Sequence, residues 1–148
     1  TTSVTLLAAT ATAVPLGVTD FASGVSIVDG YKIRMGSAGT YNIAFSVQLR
    51  NAANARRNVT IWLSKNGTAQ ANWLTWTSTD LVLGTALESE RLVAAWNFFV
   101  NAAASDYYVL MIAASDTNVV LQAGASLNTS PASIPSVPST ILTVNQVG

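Results

Sequence analysis

Residues 41–50 read Tyr41-Asn42-Ile43-Ala44-Phe45-Ser46-Val47-Gln48-Leu49-Arg50, and their alternation decides the fold class. Tyr41, Ile43, Phe45, Val47 and Leu49 fall on one side of an extended chain, with Asn42, Ser46, Gln48 and Arg50 on the other. Successive side chains of a strand point to opposite faces, so this period of two describes a half-buried β-strand. The pattern recurs over 58–65, where Val59, Ile61 and Leu63 share the inner face. That stretch ends at Asn66-Gly67, a dipeptide that tolerates the positive φ angles of a tight hairpin. Asp29-Gly30 separates 25–28 from 31–35 in the same way.

Further strands are expected over 4–8, 13–18, 69–77, 90–101, 106–115, 117–123 and 139–147, with one short turn of helix available to residues 86–93. About ten short strands with turn residues between them, and no sustained helical period, predict an all-β antiparallel jelly-roll sandwich. No internal repeat divides the chain, so residues 1–148 are expected to form one domain. Within it, 1–24 is expected to be an N-terminal arm. Residues 125–138 are expected to be a long loop marked by Pro131, Pro135 and Pro138, since proline cannot donate to a central ladder.

Composition narrows the function. The chain carries 7 basic and 7 acidic residues, and only 9% of its positions are charged, against about 25% in an average domain. Ser, Thr, Asn and Gln fill 47 positions, so the polar surface is largely uncharged. A neutral chain lacks the basic footprint that phosphate neutralisation needs, which argues against nucleic acid as a partner. No apolar run approaches the roughly 20 residues of a membrane-spanning helix, and no membrane partner is expected. The first seven residues lack a basic region and do not read as a signal peptide.

Catalytic chemistry finds few of its usual groups. With no histidine and no cysteine, the chain has no imidazole base, thiolate nucleophile or His/Cys metal site. Glu88, Glu90 and Asp80 are the carboxylates that a glycosidase or a calcium site would recruit, and solvated loop positions account for them better. Asp106 and Asp116 bracket a strand, where turn chemistry explains them. No enzyme activity, cofactor or metal is expected.

Two segments break the wet-outside rule of antiparallel sandwiches. Over 106–115, Tyr107, Val109, Met111 and Ala113 oppose Tyr108, Leu110, Ile112 and Ala114. Over 92–100, Leu92, Ala94, Trp96, Phe98 and Val100 oppose Val93, Ala95, Asn97 and Phe99. Strands apolar on both faces need a second cover. A subunit interface is expected in preference to a folded-over arm, with Trp96, Phe98, Tyr108, Leu110 and Ile112 as its candidate residues. Trp62 faces away from Val59, Ile61 and Leu63, and is therefore the candidate for an exposed aromatic contact of the kind that stacks on sugars. Trp73 and Trp76 have opposite parity and cannot share one platform.

Four stretches taken in order carry a resemblance: GTYNIAFSVQLRN (39–51), NVTIWLSKNGT (58–68), LVAAWNFFVNAAASDYYVLMIAASD (92–116) and IPSVPSTILTVNQV (134–147). Together they cover about half the chain. They resemble the C1q/TNF-like trimeric jelly rolls of tailed-bacteriophage virion proteins, including those of cyanobacterial phages. The chain departs from that pattern at Ser105, where the family often has glycine, and over 1–24 and 69–90, which match nothing in it. The resemblance implies a homotrimer located in the virion, with the major capsid protein or another virion protein as partner, and it supplies no ligand site. A capsid decoration or cement protein is the function expected, because no collagen-like, coiled-coil or β-helical shaft is seen before the domain. The alternative is the receptor-binding tip of a tail or capsid fibre, binding carbohydrate or another host surface. A carbohydrate-active enzyme is a distant third.

Overall fold

A computed structural model describes residues 3–86, 91–124, 127–129 and 132–148. The alternating stretch around Tyr41 becomes β5 (Gly39–Asn51), the longest strand among the described residues. Its inward residues Tyr41, Ile43, Val47 and Leu49 are all buried to 1% exposure or less, as the period of two requires. Along one side β5 pairs with β8 (Arg91–Ala102), from Gly39 opposite Ala102 to Arg50 opposite Arg91. Its other side is shared by β13 (Thr140–Gln146) and β10 (Val119–Leu121), and β1 (Val4–Thr5) pairs beyond β10. All these pairings are antiparallel.

The second sheet runs in the order β3 (Val25–Val28), β4 (Lys32–Met35), β9 (Tyr107–Ala114), β6 (Arg57–Lys65) and β7 (Trp73–Leu83). A short strand, β2 (Thr12–Ala13), also pairs with β9, next to β4. The two sheets close on a single core in which Ile43, Val47 and Leu49 meet Ile33, Ile61, Leu63, Leu110 and Ile112. With 59% strand and 3% helix the molecule is an all-β antiparallel jelly-roll sandwich, as the sequence pattern predicts.

Several boundaries differ from expectation for identifiable reasons. The strand expected over 69–77 begins only at Trp73, because Gln70–Asn72 forms a 3-10 turn that completes the link from β6. Asn66 adopts φ 55° and Gly67 does not share the left-handed region, so Asn66-Gly67 opens a longer connection, not a two-residue hairpin. A Cβ at Gly67 would meet Asn72 Oδ1 at 2.6 Å, so a larger residue there would have to displace the Asn72 amide from the Lys65 carbonyl. Asp29 and Gly30, at φ 54° and 74°, do form the tight turn between β3 and β4.

The expected N-terminal arm is partly built into both sheets. β1 extends the first sheet, Ala8 bridges Ala114, Val14 donates to the Leu110 carbonyl, and β2 joins the second sheet. Within the expected loop 125–138, β11 (Leu127–Thr129) and β12 (Ala132–Ile134) make a small separate ladder. Pro135 and Pro138 follow it, where no ladder donor is needed.

Candidate functional site

The register of β8 and β9 settles which faces are free. Trp96 lies opposite Phe45, and Phe98 opposite Ile43, so both turn inward with the core face of β5. Phe45 meets Trp96 edge-on at 4.7 Å and stacks on Phe98 at 5.9 Å. On β9, Tyr108, Leu110 and Ile112 are buried between the sheets. The five residues expected at a subunit interface therefore serve the sandwich interior, which corrects the expectation. Periodicity identified both strands as apolar on both faces, but it could not say which face met the other sheet.

The opposite face of β9 has an intrachain cover. Val109 and Met111 form a second buried cluster with Trp62, flanked by Ala11, Ala13, Tyr31, Trp73, Tyr107 and Ala113. Trp62 does point away from the main core, as parity required, but it is only 5% exposed. It is not an exposed contact, because Trp73 lies edge-on against it at 4.8 Å. The exposed tryptophan is Trp76, at 66%.

Beside this pair the second sheet has an open hollow of about 280 Å³. Ala9, Ala11 and Ala113 line one part of it, Trp62 and Trp73 another, and Thr60, Thr75 and Ser78 bring hydroxyl groups to its lining. Trp73 is held in place by its indole Nε1–H, which donates to the Thr68 carbonyl at 3.0 Å. Trp62 has a buried Nε1–H with no acceptor. Thr60 Oγ1 donates to Asp80 Oδ1 at 3.3 Å, and Asn58 Nδ2 donates to Asp80 Oδ2 at 3.1 Å. Ala9 is held at φ 50°, a left-handed conformation that costs an alanine about 1 kcal/mol.

The outer face of β8 has no such cover among the described residues. Register aligns Val93, Ala95, Asn97 and Phe99 with Gln48, Ser46, Ala44 and Asn42 of β5, and Ile141, Thr143 and Asn145 of β13 continue those rows. Not one of these side chains is charged. Val93, Phe99 and Ile141 are 58%, 59% and 56% exposed. At one end the uncharged rows stop at Arg50 and Arg91, which lie directly opposite each other.

The charged groups gather elsewhere. Asp106 accepts from Asn66 Nδ2, Lys65 Nζ and the Ala103 N–H, at 2.7, 2.8 and 2.8 Å. These bonds, the Asn66 amide first, pull its carboxyl down to about 2. Asp116 is likewise held below the usual carboxylate range, chiefly by the Asn118 N–H, with Arg57 Nε at 3.0 Å as a further partner. Both aspartates do turn chemistry, as expected. Glu88 and Glu90 lie outside the described residues. Among the described residues no group of three or more acidic side chains gathers that could hold a metal.

Fold and surface define the class: an antiparallel jelly-roll sandwich with one uncharged outer sheet face and one aromatic hollow on the opposite sheet. No protein-family model matches the chain, and no curated protein matches it significantly.

Proposed function

We propose that this sandwich is a non-catalytic assembly module: a homotrimeric virion structural protein of the capsid decoration type, whose subunits associate through the outer face of β13, β5 and β8. The carrying observation is that uncharged face. Exposed apolar side chains on a chain with few charges are stabilised by burial against a partner, and neutral amides and hydroxyls between them pair without the cost of desolvating ions. At about 3.4 Å per residue and about 4.8 Å per strand, the 13 residues of β5, the 12 of β8 and the 7 of β13 give a footprint of about 500 Å². That is the larger part of the roughly 800 Å² per partner of a standard interface.

The two rims of the face differ. Val93 and Phe99 lie on β8, while Ile141 lies on β13 across β5. A β8 rim on one copy meeting a β13 rim on the next is a head-to-tail contact, which closes into a ring where a rotation of about 120° relates successive copies. The ordered resemblance to trimeric phage jelly rolls supports three as the number and the virion as the location, with the major capsid protein or another virion protein as the further partner.

Light scattering tests the reading. The expected mass is about 46 kDa, three times the 15.4 kDa chain, falling to the single-chain mass in Phe99→Asp with the circular dichroism unchanged. A monomeric unmutated chain overturns it.

A further inference from the structure

The geometry points to the Trp62–Trp73 hollow as a binding site for one neutral pyranose ring. Its volume of about 280 Å³ lies at the small end of ligand pockets, which suits a single ring better than a chain of them. Its chemistry is amphipathic in the way a sugar is. The half-buried Trp73 indole and the alanine methyl groups offer apolar surface to the C–H face of a pyranose. Thr75 and Ser78 are exposed in this lining, and an exposed hydroxyl can exchange water for a sugar hydroxyl. Trp62, in the same lining, adds the apolar surface of a second indole.

Two features indicate a site already arranged to bind. The Trp73 ring is fixed at both its N–H and its edge, by Thr68 and by Trp62, so little freedom remains for a ligand to remove. The Ala9 backbone, which borders the hollow, is held in a conformation alanine avoids, and such strain persists only where the surroundings enforce it. Charge selects among sugars. The Asp80 carboxylate is tied to the lining through Thr60, and no cation lines the hollow among the described residues, so acidic sugars are disfavoured.

A single small site with few polar partners binds weakly, with a Kd on the order of 1–10 mM. The hollow opens on the sheet opposite β13, β5 and β8, so assembly through that face leaves it accessible. A ring of subunits would present several weak sites at once and raise avidity without any new contact.

Ligand-observed saturation-transfer NMR tests the site with four probes: methyl β-glucopyranoside, methyl β-galactopyranoside, methyl α-mannopyranoside and N-acetylglucosamine. At least one is expected to give a saturable signal that falls at least tenfold in Trp73→Ala. The same loss is expected in Ala11→Leu, which fills the hollow and keeps both tryptophans, so it guards against a folding defect. Trp76→Ala, outside the lining, should bind as the unmutated chain does. Absence of saturable binding by all four probes up to about 100 mM overturns the inference. So does a signal that survives in both hollow variants. Phenol binding in the hollow where no glycoside binds also overturns it, because that is the signature of a pocket for an aromatic side chain. Light scattering reads assembly and the titration reads the sugar, so either reading can fail while the other stands.

Discussion

Asn66 and Asp106 lock two turns together through both ends of the asparagine amide. Asn66 Nδ2 donates to Asp106 Oδ1 at 2.7 Å, while Asn66 Oδ1 accepts the Tyr107 N–H at 2.9 Å. The residues are distant in sequence, yet the link joins the end of β6 to the start of β9, at the centre of the second sheet. Asn66 can do this because its backbone adopts φ 55°, which asparagine tolerates better than most residues.

This node gives the fold an acid-sensitive contact. The Asp106 carboxyl is held at about 2, below its ordinary 3.8, so the folded state prefers the ionised form. Its stabilisation is complete above the unfolded value of 3.8 and is lost as pH falls from there through about 2. Asp106→Asn should lower stability at neutral pH by about 1 kcal/mol, at the modest end for bonds to a charged group because the site borders water. Urea midpoints at pH 7 and pH 2.5 check this: the gap between unmutated chain and variant should narrow at the lower pH.

Thr77 supplies a second testable contact. Between Ile61 and Leu63 the β6–β7 register shifts, and a strand hydrogen bond is missing there. The buried Thr77 hydroxyl fills the gap, accepting from the Leu63 N–H at 2.8 Å and donating to the Leu74 carbonyl at 2.6 Å. Thr77→Val keeps the shape and orphans both groups, so it should cost about 2 kcal/mol in chemical denaturation. Thr77→Ser keeps the hydroxyl and should cost only about 1 kcal/mol for the lost methyl.

How much of this was legible in the sequence follows from which interactions are local. The inward face of β5 is written in its own alternation, and Ile43 and Val47 are buried as that alternation demands. Asp29-Gly30 carries its turn chemistry in two residues. By contrast, the bulge opposite Leu63 depends on where Thr77 arrives from another strand, and nothing in residues 73–83 alone announces it. The same limit misplaced the interface residues: Phe98 and Phe99 look alike in a doubly apolar strand, and only pairing with β5 tells them apart. Trp62 had the right parity and the wrong exposure, because its cover comes from Trp73 and from Ala11 and Ala13 near the N-terminus. A packed second layer built from distant segments leaves no periodic signal in either of them.

Ser105 holds φ 71° in the turn before β9, a left-handed conformation that disfavours any side chain. Ser105→Gly should therefore raise stability by about 0.5–1 kcal/mol, relieving the steric cost at the expense of some unfolded-state entropy and of an exposed 3.4 Å contact from Arg34. Ser105→Val should lower it. Thermal melts of the three proteins in one buffer decide the order.

Phe98 and Phe99 are neighbours in the chain with opposite fates, and they separate folding from assembly. Phe98 is 8% exposed and stacks on Phe45, so Phe98→Ser removes a packed ring from the interior and leaves a polar group in its place. A loss of about 3–5 kcal/mol is expected, a large share of the roughly 5–15 kcal/mol that holds an ordinary domain folded. Phe99 is 59% exposed on the uncharged face, and within one chain it has little packing to lose. Phe99→Ser should change the stability of the isolated chain by no more than about 0.5 kcal/mol. If that face joins subunits, Phe99→Ser should nevertheless weaken association, visible as a concentration-dependent fall in mass by light scattering at micromolar protein. Circular dichroism read beside the mass makes the outcomes distinct. A strand signal that melts at a clearly lower temperature is expected for Phe98→Ser, and an unchanged melt with reduced mass for Phe99→Ser. Equal damage from the two substitutions would mean that the β8 register is wrong, because two adjacent residues of one strand cannot both face the same core.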